Sequence, residues 1–483
     1  MKKKIRKVLI ANRGEVALRV IRAAKELGLE IVIAYERPDR DAYYIRFAEE
    51  AVLIGNGPVK DYLDIDRMIW AARKSGADAV HPGYGFLAED PDFAEACERA
   101  GIIFIGPPSG ILRSTANKAY TRGLMMKANI PIIPGTQVLS PGERGLAEAL
   151  AFGRRSGYPV MVKAVKSGGG RGVRCFADEE SMVRYLNRIR SKPRKLWSEG
   201  IFLEKCIEAV KHVEIQILAD RYGNVIHLGS RDGSIQRHYQ KLLEIAPANI
   251  APEVLDSLYT AAVRAVKEIG YSNAGTVEFL VDPATGEFWF LAMNRRLQVE
   301  HTVTEELVNI DIVREQFGIA AGNRLTIPQH RIQPLGKAVQ VRINAEDPLH
   351  NFRPEGGKSV ELYLPPGGPG IRLDGILYHG YRIPSEYDSL LIKMTVKGYD
   401  WEQTSMRLER ALDSFLLVGP QTTIPFYRAI CDEPDFRCEE IDTNYVRNHP
   451  QIFNYPDPGL ESVKLEKSFL ESHIAEFLPD SWL

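Results

Sequence analysis

Hydrophobic and polar positions along the chain divide it into elements of distinct period. Residues 7–11 (Lys-Val-Leu-Ile-Ala) are a short apolar run of the kind a buried strand requires. Residues 14–27 follow with apolar positions at helical spacing and Gly28 behind them, and Glu30–Tyr35 returns to a strand pattern. This strand–helix–strand start predicts a parallel, doubly wound sheet. Further strands are predicted at 51–54, 79–80 and 102–105, and Pro107-Pro108 closes a first unit near residue 110. A second unit opens at the helix containing Lys118. It holds strands Tyr158–Lys163 and Ile201–Lys205 around a glycine-rich segment. A meander pattern then runs through His212–Ala219, Val225–Gly229, Thr276–Val281 and Glu287–Met293, with residues 282–286 (Asp-Pro-Ala-Thr-Gly) as the last turn. Gly336 to about Glu440 reads as a third unit with a strand at Ala338–Asn344, and the tail 449–483 carries a weak amphipathic helix. The fold class expected is α/β, α+β in part.

The segment Glu287–His301 is the most informative. It reads as a strand up to Asn294, and the even positions continue as Arg296, Gln298 and Glu300. While the chain stays extended, side chains two apart share a face. One edge would then carry two amides, a guanidinium and a carboxylate, a costly set unless it meets a polar ligand. Position 292 belongs to the same row and is alanine. Glu278 has the same parity, and folding over the 282–286 turn places it opposite or diagonal to position 292. Two carboxylates there would hold Mg²⁺ against nucleotide phosphates. Glu278 and Asn294 remain to do so; Ala292 offers no ligand.

Balanced charge, 62 basic against 63 acidic residues, removes the electrostatic case for nucleic-acid binding. Five cysteines without a CxxC pair read as reduced thiols, with neither a disulfide framework nor a zinc site. The basic start meets only four apolar residues before Asn12, and no run approaches the roughly 18 of a membrane span. A soluble, cytoplasmic protein is expected.

Two further segments suit phosphate chemistry. Lys163 precedes Gly168, Gly169 and Gly170, whose backbone N–H groups are free to converge on an anion, without the Gly-Lys-Ser/Thr ending of a Walker loop. Glu204 and Lys205 place an acceptor and a donor at the end of a strand beside Ile207, suited to an adenine edge. Residues 231–244 are dense in polar groups between two apolar segments.

At these residues the chain resembles the biotin carboxylase family of ATP-grasp enzymes. The likeness runs almost end to end, through 10–15 (Ile-Ala-Asn-Arg-Gly-Glu), 81–87 (His-Pro-Gly-Tyr-Gly-Phe-Leu), the glycine segment, 298–301 (Gln-Val-Glu-His) and 342–348 (Arg-Ile-Asn-Ala-Glu-Asp-Pro). Residues 240–247 and the tail look most like the biotin carboxylase subunit of two-subunit pyruvate carboxylases. The resemblance implies an N-terminal domain at 1–113, an ATP-grasp domain at 114–332 with a glycine-loop lid at about 133–203, a C-terminal mixed α/β domain at 333–446 and a tail at 447–483. It implies ATP contacts from Lys118, Lys163, Gly168, Gly169, Gly170, Glu204, Lys205, Ile207, His212, Gln236 and Leu280. Metal ligation by Mg²⁺ or Mn²⁺ falls to Glu278 and Asn294. Bicarbonate falls to Lys241, Arg296, Gln298 and Val299, the general base to Glu300, and stabilisation of the biotin enolate to Arg342. The family has Glu where this chain has Ala292, Cys where it has Gly233, His or Asn at Tyr239, Asp at Asn117 and Gly at Ser167. Without an Ala/Val-Met-Lys-Met biotinylation motif, biotin must arrive on a separate carrier protein, alongside a carboxyltransferase subunit; a homodimer is expected. Two alternatives stand beside this reading: a catalytically silent, nucleotide-binding scaffold subunit, which Ala292 favours, and an ATP-grasp carboxylate–amine ligase.

Overall fold

Apolar runs become the inner strands of the first sheet. The computed structural model describes residues 4–165, 173–191 and 200–456, so Gly168, Gly169, Gly170 and most of the tail lie outside the described residues. Strands β1 (Lys7–Ile10), β2 (Glu30–Glu36), β3 (Glu50–Gly55), β4 (Ala79–His81) and β5 (Ile103–Phe104) pair in parallel in the order β3-β2-β1-β4-β5. Helix α1 (Gly14–Glu26) packs on one face with Val8 and Ile10. Helices α2 (Ile65–Ser75) and α3 (Pro91–Arg99) cover the other with Leu9 and Val80, the double winding expected of buried parallel strands. Gly14, at φ +68°, permits the tight turn from β1 into α1. The neighbouring Asn12 amide donates to the carbonyls of Pro82 (2.6 Å) and Tyr84 (2.7 Å), tying that turn to the 81–87 loop.

Helices α4 (Ser109–Thr115) and α5 (Lys118–Lys127) lead into the second unit. The Asn117 side chain accepts from the N–H groups of Ala119 (3.0 Å) and Tyr120 (3.2 Å), so Asn at this position keeps the N-cap that fixes Lys118 at the helix start. Strands β6 (Val160–Ala164), β7 (Val173–Phe176) and β8 (Ile201–Lys205) form a small antiparallel sheet ordered β7-β6-β8. Helices α6 (Glu143–Ser156) and α7 (Glu179–Ser191) close its apolar face around Phe152, Val162, Phe176 and Leu203.

The larger sheet is antiparallel. Its strands are β9 (Lys211–Ala219), β10 (Val225–Asp232), β13 (Leu243–Ala246), β14 (Asn273–Val281), β15 (Phe288–Asn294), β16 (Lys337–Asn344), β20 (Ile371–Gly375) and β21 (Leu390–Gly398), in the order β15-β14-β9-β10-β13-β16-β21-β20. A hairpin of β11 (Gln236–Arg237) and β12 (Gln240–Lys241) projects between β10 and β13, and the short strands β17 (Glu346–Asp347), β18 (Arg353–Pro354) and β19 (Leu362–Leu364) follow β16. The ladder passes from β13 to β16, Leu243 opposite Val341, so the second and third expected units share one sheet. Helix α8 (Pro252–Ile269) covers one face of its meander, while α9 (His301–Val308) and α10 (Ile312–Ala320) follow β15. Among the described residues no helix is long and apolar enough to cross a membrane.

Candidate active site

Strand β9 alternates strictly: Val213, Ile215 and Ile217 enter the core under α8, which leaves His212, Glu214 and Gln216 on the opposite face. The register builds that face outward. Glu278 lies opposite Glu214, Thr276 opposite Gln216 and Leu280 opposite His212. On the far side of β14, Glu278 pairs with Ala292 and Thr276 with Asn294. Arg231 of β10 pairs with Glu214 from the other flank. A bulge between Glu278 and Phe279 leaves Leu291 without a register partner. Phe290 therefore meets Phe279 in the core while Ala292, two residues on, faces the polar side.

The extended row does not continue past Asn294. Residues 295–300 leave the sheet as coil and turn, and the pairing with β14 ends at Thr276 opposite Asn294. Arg296 swings away to Glu89 (3.2 Å), whereas Gln298 and Glu300 fold back onto the polar face. The predicted row is thus corrected: its members converge by a turn, and Arg296 stands apart, ion-paired. Val299 between them is half-buried.

Lys241 is the hub of the cluster. Its ammonium contacts Glu214, Glu278 (3.0 Å) and Glu300 (3.3 Å). Glu278 also accepts from the Asn294 amide (2.6 Å) and lies 3.6 Å from His212 Nε2. Glu300 reaches Arg342 (3.3 Å), which also holds Glu244. The fully buried Arg231 donates to Glu214 (3.0 Å), Gln216 (2.7 Å), Thr304 (3.0 Å), Thr276 (3.1 Å) and Gln298. Buried charges survive only when paired and hydrogen-bonded. Burial pushes the Glu300 carboxyl up, but Lys241, Arg342 and Arg231 outweigh it and hold it at about 2. Glu278 is held well below the ordinary range when Lys241 and His212 outweigh its burial. Glu244 goes the other way: burial raises it, and Arg342 offsets that only in part.

A second group forms on the small sheet. Lys163 and Arg122 both pair with Glu204, and burial together with the Lys163 charge lowers Lys118 to about 8. Lys205 donates to the carbonyls of Gly157 (3.0 Å) and Tyr158 (3.2 Å). Ile207 is half-buried in the loop that follows, and Gln236 lies opposite Lys241 in the β11–β12 hairpin.

Mg²⁺ binds through one or two carboxylates and completes its shell with phosphate and water oxygens. Glu278 supplies one carboxylate, and rotation of the adjacent Asn294 amide presents its oxygen to the same point. His212, Glu214 and Glu278 also place donor atoms within 4.8 Å of one another, and the buried His212 Nε2 has no hydrogen-bond partner. These residues fit a divalent cation held chiefly by the Glu278 carboxylate, Glu214 being paired with Arg231 and Lys241. The methyl of Ala292 occupies the position across the ladder where a second would stand.

Residues 4–112 match the biotin carboxylase N-terminal domain and residues 340–448 its C-terminal domain. Between them, residues 117–328 match the ATP binding domain of the carbamoyl-phosphate synthase L chain. Biotin carboxylase 1 of Bacillus subtilis is 42% identical over 448 residues, spanning 92% of this chain and 99% of its own. The chain belongs to the biotin carboxylase family. A pyruvate carboxylase subunit of Methanothermobacter thermautotrophicus is 42% identical over 476 residues, 98% of this chain and 95% of that one. Among solved structures, the biotin carboxylase domain dimer of Hydrogenobacter thermophilus 2-oxoglutarate carboxylase, with MgADP, ADP and bicarbonate, aligns at TM-score 0.90 and 43% identity, over 94% of this chain and 100% of that one.

Within this biotin carboxylase frame, sequence reasoning had no role for Arg231, Glu214, Glu244, Arg122 or Glu89. The signal for Glu214 was its place in the even-position polar row of β9, between His212 and Gln216. Arg231 and Glu244 sat inside the polar 231–244 stretch. Arg122 and Glu89 gave no local signal, because their partners Glu204 and Arg296 lie 82 and 207 residues away.

Proposed function

We propose that this chain is the biotin carboxylase subunit of a biotin-dependent carboxylase, using MgATP and bicarbonate to carboxylate biotin on a separate carrier protein. The observation that carries the reading is Glu300 set between Lys241 and Arg342, each 3.3 Å away, at the edge of a buried ladder of acids and bases. That is the arrangement a base needs when its substrate gains negative charge as it loses its proton.

Paired with both cations, Glu300 is a stable carboxylate and a poor base. Bicarbonate entering beside Lys241, Gln298 and Val299 draws the cations onto itself, and Arg296 exchanges Glu89 for the new anion. Glu300 regains basicity as it loses its counter-charges, and it takes the bicarbonate proton. The dianion attacks the terminal phosphorus of ATP, giving ADP and carboxyphosphate, which releases CO₂ and phosphate. The released phosphate takes the biotin N1 proton, Arg342, already placed against Glu300, steadies the resulting enolate, and N1 attacks CO₂. Lys118, Lys163 and Glu204 hold the nucleotide from the small sheet. Glu278 and Asn294 would hold a divalent cation, which would supply positive charge against the phosphates. Homodimer formation is supported by the dimeric relative, and pyruvate as final acceptor on a carboxyltransferase chain by the pyruvate carboxylase relative that covers 98% of this chain.

Ala292 depresses turnover in this reading, since loss of even an outer partner of a metal lowers activity about 10- to 100-fold. The test is bicarbonate-dependent ATP turnover with free biotin, for this chain and for Ala292→Glu. A slow, biotin-stimulated rate that rises at least about tenfold in the variant supports the proposal. Ala292 also favours a second reading, a silent nucleotide-binding scaffold. Tight nucleotide binding with no biotin-stimulated turnover in either protein would establish it. Retention of Arg296, Glu300 and Arg342 argues against a carboxylate–amine ligase.

A further inference from the structure

Gly233 lies in the short link between β10 and β11, against the side chain of Lys241. Its backbone is outside the left-handed region, so conformation does not call for glycine there. Space does. A β-carbon on residue 233 would stand 3.0 Å from both Cδ and Cε of Lys241 and 3.4 Å from its Cγ. Neither backbone is free to yield. The Gly233 N–H donates to the His212 carbonyl (2.9 Å), and the His212 N–H donates to Ser234 Oγ (2.9 Å). Asp232 accepts from the Ser234 N–H (2.9 Å) and pairs with the buried Lys211 (2.9 Å). On the other side Lys241 is fixed opposite Gln236, and the Leu242 N–H donates to the Ile235 carbonyl (2.9 Å). A side chain at 233 would therefore displace the Lys241 stem, whose ammonium is held by Glu214, Glu278 and Glu300.

We propose that Gly233 is a positioning residue: by leaving this space open it seats the Lys241 ammonium on Glu278, as a resident counter-cation that a divalent cation must displace. The inference rests on the cation placement at Glu278 and Asn294 proposed above. The Glu278 oxygen that Asn294 reaches (2.6 Å) is the one that the ammonium holds (3.0 Å). A magnesium ion bound there, about 2.1 Å from the oxygen, would lie within about 5 Å of the ammonium nitrogen. Two cations so close repel strongly where water is excluded, so metal entry costs the Lys241–Glu278 pair. Ala292 acts in the same direction. It faces Glu278 across the ladder and offers no second carboxylate to favour metal over lysine. Where the family carries cysteine and glutamate, this chain carries Gly233 and Ala292, and both changes favour the lysine.

The full chain, Gly233→Ala, Lys241→Met and the double variant are titrated with Mn²⁺ alone, the free ion being read by electron paramagnetic resonance. Without Lys241 each carboxylate keeps another partner: Arg231 for Glu214, Asn294 for Glu278 and Arg342 for Glu300. Gly233→Ala and Lys241→Met should each bind Mn²⁺ at least about fivefold more tightly than the parent, with no further gain in the double variant. Gly233→Cys, which restores the family residue, should behave as Gly233→Ala does. Melting in chelator gives a readout that needs no metal. Gly233→Ala should melt below the parent, because it loosens the ion pairs of Lys241, whereas the double variant should melt with Lys241→Met.

Unchanged or weaker Mn²⁺ affinity in Gly233→Ala overturns the proposal, as does a gain that repeats in full on the Lys241→Met background. A gain that survives Glu278→Gln lies at another site and overturns it too. If none of the proteins takes up Mn²⁺, the cation placement proposed above fails. The melting comparison then decides by itself whether Gly233 acts through Lys241, and an equal drop in both backgrounds shows that it does not.

Discussion

The buried Arg231 guanidinium meets one carboxylate, two amides and two hydroxyls, and its removal leaves Glu214 without its buried partner. Breaking such a pair from one side is strongly destabilising, so Arg231→Met is expected to lower the unfolding free energy by about 3–5 kcal/mol, measured by urea denaturation. At position 292 the sign depends on metal. Ala292→Glu adds a carboxylate opposite Glu278, so the variant should melt below the parent in chelator and regain the difference in millimolar Mg²⁺, followed by calorimetry. A lower melting temperature in both buffers would mean that the pocket has no room for the side chain. Glu300 gives a pH signature. Its folded value, about 2, lies below the ordinary 4.5, so its contribution is complete above pH 4.5 and is lost as pH falls from 4.5 to about 2. The full amount is roughly 3 kcal/mol. The parent should therefore lose more stability between about pH 5 and pH 3 than Glu300→Gln does, seen as a steeper fall in denaturant midpoint.

At the scale of elements, the β11–β12 hairpin positions Lys241 through a two-residue loop. Its residues, His238 and Tyr239, have φ of +50° and +63° and are exposed. A turn with both central residues left-handed matches the strand twist, yet side chains with Cβ resist it by about 1–2 kcal/mol each. Replacing the pair by Asn-Gly should stabilise the protein by about 1 kcal/mol after the added glycine entropy, read as a higher urea midpoint with unchanged slope. A loss of stability instead would show that Tyr239 makes a contact worth more than the turn strain.

Across the whole molecule, cores are shared unequally. One apolar cluster joins Val8 and Val20 of the first unit to Ile245, Val339, Leu408 and Tyr427, so the N-terminal sheet and the C-terminal half stand or fall together. The small sheet has a core of its own around Phe152, Val160 and Leu203. Local opening is easiest where few apolar contacts cross to the rest. Hydrogen exchange should accordingly show amides of β6 and β8 opening at lower free energy than those of β9 and β16, and nucleotide should slow the first set selectively. Equal protection in both sets would indicate a single cooperative unit.

Much of this was legible in the chain itself. The run at Val8–Ile10, the alternation of β9 and the short 282–286 turn determine strands, their faces and the β14–β15 hairpin, because period and turn length are local properties. The family motifs added the expected roles of Lys241, Glu300 and Arg342. Local pattern says which face a residue occupies but not what that face meets. Arg231 with Gln298, Arg342 with Glu300 and Arg296 with Glu89 are brought together across 67, 42 and 207 residues. The Leu291 bulge reversed the parity within β15, and the chain beyond Asn294 turned where extended geometry would have run straight on. Those outcomes were decided by packing, since Phe290 enters the core while Glu278 and Glu300 meet Lys241 on the polar face.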